Sequence, residues 1–174
     1  MSKEKEIYIK AQVLLSTNNP SNTIGAIMLL HRIIYTIKGD GTEERAFWKG
    51  LAAVELGNIF LAGVNSCDYE GEDGYFYTNC YVKADLLKAY DLYHRAMKYG
   101  CFDGVKTIGE IYMLLGEYDN AAEMFQAVIE YGYKDAEDAK KALQVLLESG
   151  KIDRAPTHVA APTYEPSFSF IAPE

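Results

Sequence analysis

Apolar side chains return every third or fourth position along most of this chain, which is the spacing of helices burying one face. The first such run, about Lys3 to Ser16, carries Ile7, Ile9, Ala11, Val13, Leu14 and Leu15. It is apolar enough to predict a buried helix. Asn18-Asn19-Pro20-Ser21-Asn22 breaks it and starts a second, from about Ser21 to Lys38, on Ile27, Leu30, Ile33, Ile34 and Ile37. Gly39-Asp40-Gly41 ends that helix, and Thr42, followed by Glu43 and Glu44, suits the start of a third reaching Ala62. Four more segments follow: Asp85 to Tyr99, Asp103 to Leu115, Tyr118 to Tyr131 and Asp135 to Glu148. Glycines at 100, 116, 132 and 150 punctuate them, as expected where helices stop.

Two stretches do not follow this periodicity. Asn65 to Ala84 contains Gly71 and Gly74, four acidic residues and five aromatics, and it is read as a long insertion between two helices. From Asp153 the chain changes again. Pro156, Pro162, Pro166 and Pro173 exclude a helix and predict an extended or polyproline-like tail. The expected organisation is a helical domain over residues 1–152 and a tail over residues 153–174.

Within the helical part a pattern repeats after 32 residues. Ala89, Tyr93, Ala96 and Gly100 recur as Ala121, Phe125, Val128 and Gly132. A second motif, Leu56-Gly57-Asn58-Ile59-Phe60, recurs as Ile108-Gly109-Glu110-Ile111-Tyr112. Small residues allow two helices to approach closely, and the aromatic fills the space beside them. A repeat of this length predicts stacked helical hairpins, because no single hairpin buries its apolar face alone. Mid-helix Gly57 and Gly109 are accordingly read as packing sites rather than phosphate cradles.

The offsets of Val105, Ile108, Gly109, Tyr112, Ala121, Phe125 and Val128 resemble those of the tetratricopeptide repeat. Ala53, Leu56, Gly57 and Phe60, with Ala89, Tyr93 and Ala96, match the preceding repeat. Its two halves stand 20 residues further apart, which looks like the Sel1-like subclass. A third hairpin, at Ala26, Leu30 and Ile33, lacks the Leu-Gly pair. The resemblance implies an all-α, right-handed solenoid of about seven helices, its concave face lined by first helices. By position that face holds Lys106, Glu110, Met113 and Leu114, with Val54, Asn58 and Leu61 one repeat earlier.

Composition narrows the functional classes. A net charge of -8 argues against nucleic acid and anionic lipid, whose partners present a basic face. No apolar run approaches the ~18 residues of a membrane span, and the charged N-terminus carries no apolar leader. Three cysteines, Cys67, Cys80 and Cys101, read as reduced thiols in a cytoplasmic protein. Cys67 and Cys80 flank the insertion, where a disulfide would tie its base; Cys101 reads as a small core residue.

Candidate chemistry is sparse. Asp68, Glu70, Glu72 and Asp73 alternate oxygen ligands, but the sixth and twelfth places of a calcium loop hold Asp73 and Asn79 instead of Gly and Glu. No cofactor is called for. His31, His94 and His158 are scattered and read as exposed or hydrogen-bonded residues rather than catalytic ones. The insertion's Tyr69, Tyr75, Phe76, Tyr77 and Tyr81 form either a lid packed on the helices or a binding surface. In the tail, Tyr164, Phe168 and Phe170 fit an extended strand that docks in its own groove, in a second copy or in another protein. The expectation is a non-enzymatic protein-interaction module, an adaptor or an inhibitor, acting through the concave face, the 65–84 insertion or the tail. The alternatives are a homo-oligomer assembled by tail docking and a metal- or ligand-binding protein using the acidic loop.

Overall fold

In a computed structural model the described residues are 2–36 and 42–162. They form seven α-helices and one two-stranded sheet. The helices are α1 (Lys3–Leu15), α2 (Pro20–His31), α3 (Glu43–Ala62), α4 (Leu86–Lys98), α5 (Val105–Leu115), α6 (Tyr118–Tyr131) and α7 (Ala136–Glu148). Strands β1 (Val64–Glu70) and β2 (Phe76–Val82) lie between α3 and α4. The chain is thus mostly helical rather than all-α.

Helix starts follow local chemistry. Ser2 Oγ accepts from Lys5 N–H, Asn19 Oδ1 from Ser21 N–H and Asp85 Oδ1 from Lys88 N–H. Thr42 precedes α3 as expected, but its side chain makes no capping bond there. The second helix is shorter than its apolar spacing predicts. After His31 the backbone widens into a π-helical turn, Arg32–Thr36, which keeps Ile33 and Ile34 buried. The Gly39-Asp40-Gly41 stop lies outside the described residues. Helix α1 is not buried all round. Ile7 and Ala11 face inward while Ile9 and Val13 are exposed, because only one side of α1 meets α2 and α3.

Consecutive helices pair: α1 with α2, α3 with α4, α5 with α6, and α6 with α7. Pairing of α3 with α4 is antiparallel. Phe60 O accepts from Asp85 N–H, Gly57 faces the Tyr93 ring, and Gly50 faces Tyr99 and Cys101. The hydrophobic interior has two parts. One gathers Ala11, Leu30, Ile33, Ala53 and Leu56 from the first half, and the other gathers Val105, Ile108, Phe125, Val128 and Leu146 from the second. Helix α4 joins them, giving Leu92 and Ala96 to the first and Ala89, Tyr93 and Met97 to the second.

The insertion is the main departure from expectation. It is an antiparallel β-hairpin, not an irregular loop. Gly63 leaves α3 at φ +75, with Val82 O and Ala84 N each 3.0 Å from where a Cβ would stand, so this junction has room only for glycine. Its cross-strand pairs are Val64 with Val82, Cys67 with Cys80, Tyr69 with Tyr77 and Glu70 with Phe76. Bulges interrupt the register on both sides of the cysteine pair. Asn79, with φ +53, sits at one of them and donates its N–H to Asp68 Oδ1 at 3.1 Å.

Candidate functional site: the aromatic hairpin and its cleft

The hairpin is seated through β1 on α2. Tyr69 is the anchor: its ring atoms come within 3.2 Å of the Cβ position of Gly25, and it stacks at 6.2 Å on Tyr77 across the strands. The tip is closed from within. Gly71 N–H donates to Tyr75 O, Gly74 N–H to Gly71 O, and Asp73 accepts from Tyr75 N–H at 3.1 Å and the Tyr77 hydroxyl at 2.9 Å. That last bond holds the Tyr77 phenol above its ordinary pKa. Asp68 and Asp73 thus bond within the hairpin, to backbone N–H groups and to the Tyr77 hydroxyl. Among the described residues no group of three or more His, Cys, Asp or Glu is placed to hold a metal.

Four of the five predicted aromatics point to solvent. Tyr75 is 69% exposed, Phe76 66%, Tyr77 44% and Tyr81 68%. Between the hairpin and α2 runs a cleft of about 730 Å³. Its apolar wall is Leu14, Met28 and Leu29, its aromatic wall Tyr69 and Tyr77. His31 and Arg32 line it from the helix side, and Glu70, Glu72 and Asp73 from the hairpin side. Sequence reasoning missed the α2 half of this cleft, since nothing in the spacing of α2 says what covers it. The strand itself had a signal: aromatic and β-branched residues from Tyr75 to Val82 after a Gly-Glu-Asp-Gly turn.

The residues assigned to a concave face do not gather with the hairpin. Lys106 Nζ pairs with Glu110 Oε1 at 2.8 Å along α5, and this bond raises the Lys106 pKa. Met113, Val54 and Leu61 pack against the second part of the core. Asn58 accepts a hydrogen bond from the Tyr93 hydroxyl at 2.7 Å. Asn58 is exposed, and Leu114 stands well out, at 72% exposure.

One histidine departs from expectation, while His31 and His158 are exposed as expected. His94 is neither exposed nor hydrogen-bonded: both ring nitrogens are buried without a partner among the described residues, beside the Tyr90 ring at 4.2 Å. Burial lowers its pKa. His158 pairs through Nδ1 with Glu130 at 2.5 Å. The first part of the tail is held there too, by Tyr131 Oη donating to Val159 O and Val159 N–H donating to Glu130. Ile152 is buried at its start. Tyr164, Phe168 and Phe170 lie outside the described residues.

No family model, curated protein or solved structure matches this chain. Among the described residues no helix is long and apolar enough to cross a membrane.

Proposed function

We propose that this chain is a non-enzymatic protein-interaction module, an adaptor or an inhibitor, whose contact surface is the β-hairpin over residues 64–82. The observation carrying this reading is the exposure of Tyr75, Phe76, Tyr77 and Tyr81 on a hairpin that is itself anchored. Tyrosine and phenylalanine offer large contact area at little conformational cost and are enriched at the cores of interfaces. Strand β2 pairs with β1 on one side, and among the described residues no strand pairs with its other side. An edge of that kind accepts an extended segment by main-chain hydrogen bonding, with the flanking aromatics selecting its side chains.

The helices serve this reading as a rigid carrier of the tetratricopeptide or Sel1-like solenoid kind. Supporting it is the same close approach in both repeats, Gly57 against Tyr93 and Gly109 against Phe125.

Affinity capture by wild type and by a Tyr75/Phe76/Tyr77→Ala variant tests the proposal. These side chains are exposed, so the helical circular dichroism signal should be unchanged. A protein captured by wild type and lost by the variant is the expected result. Retention of every captured protein would remove the hairpin from the interaction.

A further inference from the structure

Cys67 and Cys80 are directly opposed across the two strands of the hairpin. Opposed residues of an antiparallel pair have Cα atoms about 4.5–5.5 Å apart and project from the same face. A disulfide requires about 4.4–6.8 Å, so this pair closes without a change of register. Cys67 Sγ already reaches its partner residue, lying 3.6 Å from the Cys80 backbone carbonyl oxygen. Both thiols are free and half-buried, while Cys101 is buried in the helical core beside Gly50. The segment between the cysteines contains Tyr69, Tyr75, Phe76 and Tyr77.

We propose that Cys67 and Cys80 are a reversible dithiol–disulfide pair that pins the aromatic hairpin in its oxidised form and loosens it when reduced. A two-stranded hairpin is marginal by its own hydrogen bonds. Here the ladder is broken by a bulge on each side of the cysteines, where a covalent tie adds most order.

The oxidant is a low-molecular-weight disulfide of the glutathione class. One cysteine thiolate attacks a sulfur of the oxidant, forming a mixed disulfide and expelling one thiolate. The second cysteine thiolate attacks the protein sulfur of that mixed disulfide, closing the Cys67–Cys80 bond and expelling the other thiolate. Two protein thiols lose two protons and two electrons, and the oxidant becomes two thiols. Cys67 is held above the ordinary thiol pKa by burial first and by Cys80 and Asp68 next. The rate of closure therefore rises with pH.

Regulation of partner capture by this pair rests on the interaction reading above, but the pair itself is tested without a partner. The reduced full chain is incubated with glutathione disulfide and analysed by intact mass, thiol titration and peptide mapping. Wild type is expected to lose two hydrogens, keep only the Cys101 thiol and yield a linked 67–80 peptide. Cys80→Ser should instead retain glutathione on Cys67. Amide exchange over residues 68–79 should slow at least tenfold in the oxidised form. Persistence of all three thiols, a stable glutathione adduct on wild type, a link to Cys101 or unchanged hairpin exchange would each overturn the proposal. Loss of the interaction reading, seen when the aromatic variant retains every partner, leaves these readouts standing.

Discussion

Gly109 lies against the ring of Phe125: a Cβ at position 109 would stand 2.7 Å from the phenyl Cε1. Gly57 repeats the relationship with Tyr93 at 2.8 Å. Each pair joins two helices, and each ring is fully buried and unable to swing away.

Gly109→Ala should therefore destabilise the protein although alanine favours helix by about 1 kcal/mol over glycine. Overpacking a filled core costs about 1–3 kcal/mol. The net loss, up to about 2 kcal/mol, lowers Tm by up to roughly 8 °C for a chain of this size. Denaturant melts of Gly109→Ala, Phe125→Leu and the double variant check it. The double variant should lose less than the sum of the singles, and strict additivity would place the strain elsewhere.

Tyr93→Phe keeps the ring and removes the hydroxyl that donates to Asn58 at 2.7 Å. Asn58 is exposed and recovers water as a partner, so the cost should be about 0.5–1.5 kcal/mol. Asn58→Ala should cost less in the Tyr93→Phe background than in wild type. Equal costs in both would show that the bond contributes nothing.

His94 predicts an acid-side loss of stability. Its folded pKa is depressed, chiefly by burial, with Asp91 opposing weakly. Above the unfolded value of about 6.5 both states are neutral and no pH dependence arises. As pH falls below it, the unfolded chain takes up a proton that the folded one refuses, and stability falls until the folded pKa is reached. Urea melts at about pH 7 and pH 5 should show a smaller decline for His94→Leu than for wild type. Parallel declines would assign the acid sensitivity to other groups.

Glu4 is 2% exposed near the start of α1, with Arg45 Nε 3.2 Å from its Oε1. Arg45→Ala leaves a buried carboxylate with this ion pair removed. Fully buried pairs broken in this way cost about 3–5 kcal/mol; Arg45 is one-third exposed, so on the order of 2 kcal/mol is expected. Glu4→Leu in the same background should restore much of it. Thermal melts showing no rescue would mean that Arg45 acts through its other contacts.

The helices were legible because burial follows their period. Leu30, Ile33, Leu56, Ile108, Phe125 and Leu146 are core in the structure at the positions where 3/4 spacing predicts a buried face. The error at Ile9 and Val13 has the same source read too freely: a run of apolar residues does not say how many neighbours a helix has. Asn65 to Ala84 hid a hairpin because its pairing depends on two bulges and on Asp68, Asp73 and Asn79 bonding to backbone and side-chain groups within the hairpin. Those are contacts between residues up to 11 apart, which composition does not encode.

Local order alone determined the helices and their stops, since each depends on residues within a turn or two of one another, and the glycine–aromatic pattern was legible because it recurs after 32 residues. The repeat already marked Tyr93 and Phe125 as core; the tertiary structure decided which aromatics of the hairpin are held and which are surface. Tyr69 is tied down because Gly25 of another element leaves room for its ring, whereas Tyr75, Phe76 and Tyr81 are left facing water. Tyr93 and Phe125 differ from them less in chemistry than in having a glycine opposite. Burial of a ring is set by the surface it meets, and that surface is supplied by residues far away in the chain.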